Sequence, residues 1–140
     1  MKSTVGTERK TIVFGEDSVV IQKFNGGIKG GRTLDTTGIT DKYLYAGRVI
    51  ITNGNGTFKP LGITGTTTEG VTTYAYDAVP NGYSVCGILY RTIETARAEA
   101  SIMFDGEVNE VAAAIKIPAP YTSAIKSALP NVTFIKDEIA

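Results

Sequence analysis

Forty-five of the 140 residues are β-branched, as 19 Thr, 15 Ile and 11 Val. Two heavy atoms on Cβ restrict χ1 in a helix and suit a pleated surface, so this usage commits the chain to sheet. Sixteen Gly and seven Tyr add tight turns and further strand formers. An all-helical fold is excluded. The length is that of one domain, since domains cluster near about 100–150 residues. An apolar fraction of 42% builds one core, and a charged fraction of 20% with mixed signs is too low for a disordered chain.

The 14 basic and 14 acidic residues balance, which gives no basis for general nucleic-acid affinity. With no His, neither a Ser-His triad nor a Cys-His dyad exists within the chain, and imidazole metal ligands are missing. The single cysteine, Cys86, has no internal disulfide partner and lies in an apolar run, as a buried inert thiol does. Polar residues follow Met1-Lys2, so no signal-peptide core is expected. The longest purely aliphatic run, Val111 to Ile115, is far short of a membrane span. These features predict a soluble protein made in a reducing compartment, bound to no membrane, holding no metal or cofactor, and not an enzyme.

Residues 1–10 have no periodicity and read as an arm outside the core, of the kind a neighbouring molecule holds. Residues 11–140 are expected to form one β-rich domain. Thr11 to Phe14 and Ser18 to Lys23 read as short strands about a turn at Gly15-Glu16-Asp17. Gly26 to Gly31 reads as a flexible loop, without the spacing of a phosphate-binding loop. Residues 32–46 continue as a long polar connection with a turn at Asp35-Thr36-Thr37-Gly38. The clearest local signal is Arg48 to Thr52, a strand, followed by the turn Asn53-Gly54-Asn55-Gly56 and a return through Leu61. Val71 to Tyr76 and Tyr83 to Ile93 read as strands. In Ala98 to Phe104 alternation turns Ala98, Ala100, Ile102 and Phe104 inward, with Asp105-Gly106 closing the strand. Ile50, Leu89 and Phe134 complete the expected core. One helix is expected, near residues 120–129, capped by Thr122 or Ser123, with Ile125 and Leu129 stacked and Pro130 ending it. Val132 to Ile135 closes the domain as a strand.

Carboxylate pairs suited to acid–base work need one buried member. Glu107 with Glu110, and Asp137 with Glu138, lie in polar or terminal sequence and read as solvated charge. Asp35 and Asp41 lack the spacing of a Ca²⁺ loop, and the sequons at Asn55 and Asn131 have meaning only on secretion. Tyr74, Tyr83 and Tyr90 sit in apolar runs, as core and interface tyrosines do.

A family resemblance rests on order and spacing together. Gly47-Arg48-Val49 opens a strand, and Asn55-Gly56-Thr57-Phe58-Lys59-Pro60-Leu61 ends a hairpin. Ser84 to Leu89 then precedes a strand from Ala98 to Val108-Asn109, and Tyr121 to Asn131 with Thr133 to Asp137 supplies a small helix and a last strand. Over residues 45–138 this pattern resembles the head decoration proteins of tailed bacteriophages. The resemblance implies a mainly β domain, β-barrel-like or β-sandwich-like, with one short C-terminal helix and an extended N-terminal arm. It also implies a homotrimer on the outer surface of an icosahedral head, made in the bacterial cytoplasm, that cements the major capsid protein. Its arm would add β-structure to the capsid. Lys2, Thr4, Val5, Thr7, Arg9 and Lys10 are the candidate capsid-binding residues, and the stretch 24–46 is the alternative anchor. The competing expectation is a β-sandwich adhesion or glycan-binding module of a virion, although the chain has no Trp.

Overall fold

Apolar residues fall in unbroken runs at Val49-Ile50-Ile51, Ile88-Leu89 and Ile102-Met103. A strand built this way must be covered on both faces. The computed structural model describes residues 17–136 and supplies both covers. In chain order the elements are α1 (Asp17–Val20), β1 (Ile21–Thr33), β2 (Tyr43–Leu44), β3 (Val49–Thr52), β4 (Phe58–Pro60), β5 (Ile63–Thr68) and β6 (Val71–Tyr76). Then come β7 (Ser84–Leu89), β8 (Ile93–Glu94), a 3₁₀ turn (Thr95–Arg97), β9 (Glu99–Asn109), α2 (Glu110–Lys116), α3 (Ser123–Ala128) and β10 (Val132–Ile135).

The main sheet runs β1-β9-β7-β3-β4, with β10 added in parallel to β9. On one face Val49, Ile51, Ile88, Met103 and Val108 pack with Ala112, Ala113, Ile125 and Leu129 from the helical segments. On the other, Ile50, Leu89, Ala100 and Ile102 meet Leu34 and Leu44, close to the small β2–β8 sheet. The domain is mainly β and layered like a sandwich; no closed barrel forms among the described residues.

Local signals hold at several elements. The Asn-Gly turn joins β3 to β4, with Asn53 Oδ1 accepting from the amides of Asn55 and Thr57. Thr122 caps α3 by accepting from Ile125 N at 3.2 Å, and Ile125 and Leu129 are buried beneath it. At the entry to β3, Gly47 takes a φ of 101°, which favours glycine. Its carbonyl accepts from the buried Tyr121 hydroxyl at 2.6 Å, tying the segment before α3 to the entry of β3. Burial drives the Tyr121 hydroxyl pKa upward.

Several expectations are overturned. Ser18 is in the single turn α1, and the strand begins at Ile21. Gly26 to Gly31 is no flexible loop but the middle of β1, paired along β9 with several register shifts. A Cβ on Gly27 would stand 2.2 Å from Ile102 O, so glycine is what lets the two backbones close together. Asp105-Gly106 does not end β9, which continues to Asn109. Phe104 is 43% exposed rather than core. Gly26 faces Asp105 while Gly27 faces Met103, so Phe104 is the extra residue of a bulge and alternation breaks there. Phe134 is only half-buried against the core. The expected strand from Tyr83 to Ile93 stops at Leu89 and resumes as β8. A second helix, α2, precedes the expected one. Buried Asn109 caps it through Val111 N, and Ala112 and Ala113 face inward while Ile115 stays 61% exposed.

Candidate functional site

The six sequence-nominated residues, Lys2, Thr4, Val5, Thr7, Arg9 and Lys10, lie outside the described residues, as do the strand expected at 11–14 and the pair Asp137 and Glu138. The alternative anchor, 24–46, divides in two. Its first part is the edge strand β1, and its second contributes Asp35 to Tyr45 to the rim of a cleft.

The carboxylates do not assemble into acid–base chemistry. Glu107 lies mid-strand in β9, half-buried, and Glu110 is half-buried in α2, where it accepts from Lys126 Nζ at 3.1 Å and links α2 to α3. Among the described residues no group of three or more Cys, Asp or Glu is placed to hold a metal ion, and no helix is long and apolar enough to cross a membrane. Cys86 is half-buried, its thiol donating to Ile50 O, and burial pushes its pKa up to about 11. It stays a thiol, not a thiolate, at neutral pH.

Two surfaces stand out. The first is the β5–β6 ribbon, paired without a break from Ile63↔Tyr76 to Thr68↔Val71. Glu69 and Gly70 turn it with φ of 52° and 79°, the positive pair a tight hairpin turn needs. Ten of its twelve strand residues are exposed and none is charged. Val71 is 65% exposed and Tyr74, one of the tyrosines expected in core or interface use, is 41% exposed. The Tyr74 ring lies across Gly65, and the Thr67 and Thr72 hydroxyls bond at 2.9 Å. Two strands alone are marginally stable in water, and uncharged open edges invite another strand. By contrast, the edge strand β1 carries Lys23, Arg32 and repeated register shifts, all features that blunt an edge.

The second surface is a cleft of about 850 Å³ beside β3 and β4. On its floor lies Arg48, only 7% exposed. Its Nε and Nη2 both donate to Leu61 O, at 3.1 and 2.8 Å, which fixes the guanidinium plane. Burial lowers its pKa, an effect that Tyr76, Asp41 and Asp77 oppose. The neighbouring Tyr76 hydroxyl, which accepts from Val49 N, is pushed up to about 12 by its own burial. Asp35, on the rim, accepts from the hydroxyl and amide of Thr37, which hold its pKa below the ordinary value. Tyr43 and Tyr45, half-buried with ring centroids 6.2 Å apart, flank the opening. The buried tyrosines of the fold are thus Tyr76 and Tyr121, while Tyr83 and Tyr90 are half-buried.

Comparison with protein-family models, curated proteins and solved structures found no match. The two surfaces therefore stand on their own geometry. Sequence reading named neither as a surface, although the 24–46 stretch supplies one rim of the cleft and β6 was expected as a strand. The ribbon's signal was Glu69-Gly70 between two β-branched runs; the cleft's was an arginine inside the apolar stretch Gly47 to Ile51.

Proposed function

We propose that this chain is a capsid decoration protein of a tailed bacteriophage. In this reading it binds the outside of the icosahedral head as a homotrimer, stabilises contacts between major capsid protein subunits, and catalyses nothing. The observation that carries it is the β5–β6 ribbon, with its exposed, uncharged strand edges. Such edges suit a domain whose role is to be covered by another chain, and an extended capsid segment adding to the ribbon gains affinity from main-chain hydrogen bonds. The segments that carry the family resemblance also support the reading. Through residue 136 they occupy one body, the β3–β4 hairpin, β7, β9, α3 and β10.

The test is to image particles from the source that encodes this chain, with and without it, and to add back variants. Density on the outer shell should vanish without the chain and return with the wild type. Thr66→Lys places a charge on the ribbon and should reduce binding at least tenfold while leaving the melting temperature within a few degrees. Wild-type binding by that variant would remove the ribbon from the interface. The free protein should scatter light as three times 14.9 kDa. If no density is lost and the protein is instead a monomer retained on a sugar column, the adhesion or glycan-binding reading replaces this one.

The N-terminal arm is the second proposed contact. Deleting residues 2–10 should lower capsid binding at least tenfold, about 1.4 kcal/mol, without changing the free domain's melting temperature. Reversing the charge of Arg9 and Lys10 should do less, with an effect that shrinks as salt rises. Coating at the wild-type level by the truncated chain would exclude the arm as anchor and leave the 24–46 stretch or the ribbon.

A further inference from the structure

Arg48 is a cation in an unusual position. It is more than nine-tenths buried, yet among the described residues no carboxylate forms an ion pair with it. Its hydrogen bonds all go to one backbone carbonyl, that of Leu61. No buried side-chain nitrogen or oxygen of the described residues lacks a partner, so Nη1, which makes neither bond, keeps contact with solvent, and Arg48 lines the cleft. A buried guanidinium that no carboxylate touches is only partly compensated by Asp41 and Asp77 at longer range, and a planar fork with a donor still free is matched by an oxyanion.

The surroundings narrow the ligand further. Asp41 and Asp77 line the same cleft and are close enough to act on the Arg48 charge. A bare anion would be repelled by both. A ligand with one carboxylate and several hydroxyls offsets that repulsion, because its hydroxyls donate to the aspartates while the carboxylate meets the guanidinium, and Lys42, Lys59 and Lys116 on the same cleft favour its charge. Tyr43 and Tyr45 add an apolar flank of the kind that borders a sugar ring. The cleft's volume lies within the roughly 300–1,000 Å³ of ligand sites.

We propose that this cleft binds a small acidic saccharide, with its carboxylate on Arg48 and its hydroxyls on Asp41 and Asp77. The inference is independent of capsid binding. Glucuronate, glucose and acetate, titrated at matched ionic strength into the isotope-labelled full chain, test it by amide shifts. Glucuronate should shift the amides of residues 43–48, 59 and 61–63 saturably, at concentrations at least tenfold below those needed for glucose or acetate. Arg48→Met should abolish the response. Asp41→Ala, on an exposed rim residue, keeps the test valid if the first variant does not fold. It should weaken glucuronate severalfold and, with one repelling charge gone, leave acetate no weaker than before. Equal responses to acetate and glucuronate, an unaltered response in Asp41→Ala, or no saturable shift would each overturn the proposal.

Discussion

Gly27→Ala should lower the unfolding free energy by about 3 kcal/mol, the upper part of the ordinary overpacking range. The added methyl would sit 2.2 Å from Ile102 O and 2.9 Å from Met103 Cα, so backbone has to move on one strand or the other. The movement falls on β1, the freer of the two. β1 has β9 as its only strand partner among the described residues, and β9 is also held by β7 and β10. Gly26→Ala is the internal control. Its methyl meets Asp105 Cβ at 3.6 Å and Phe104 Cε1 at 3.8 Å, ordinary contacts, and the cost should stay below about 1 kcal/mol. Urea titration of both variants, with the slope unchanged, measures the difference. Equal midpoints would mean that the β1–β9 crossing is looser than its geometry.

Ile102→Ala should cost about 3–4 kcal/mol, because Ile102 is fully buried among Leu34, Leu89 and Ala100 and leaves a cavity its strand cannot close. Phe104→Ala, two residues along the same strand, should cost no more than about 1.5 kcal/mol, since the ring is 43% exposed. Strict alternation would put both side chains in one core with comparable costs. Calorimetry of the two variants therefore tests whether the bulge exists in solution. A Phe104→Ala loss as large as that of Ile102→Ala would restore the unbroken strand.

These two residues show where sequence reading succeeds. Ile102 was legible because its neighbours Ala98 and Ala100 keep the same period. Phe104 was not, because the extra residue is created by pairing with Gly26 and Gly27, far away in sequence. The glycine-rich stretch has the same history. Alone it reads as loop, and only β9 turns it into strand. The β3–β4 hairpin and α3 were legible because turn, cap and stop signal are all local: Asn53-Gly54, Thr122 and Pro130. Helix α2 had a visible cap in Asn109, but its alanines gave no apolar stripe. Of the ribbon, β6 was legible by its alternation, while β5 escaped because threonine on both faces leaves none to read. The cleft escaped for a different reason. Asp41, Arg48 and Asp77 are separated in the chain and meet only in the folded domain.

The position of β9 also sets an order in time. The β3–β4 and β5–β6 hairpins join neighbouring segments and close as soon as their turns are made. β1 is synthesised before them, yet its strand partner lies beyond residue 98. It must wait, with its pairing edge open, while most of the chain emerges. When β9 arrives it meets β1 on one side and β7 on the other, so one insertion closes the longest loop and joins two halves that had no sheet in common. Until that moment the waiting strand is open to capture by another unfinished copy, and its Lys23 and Arg32 protect the nascent chain as well as the finished domain.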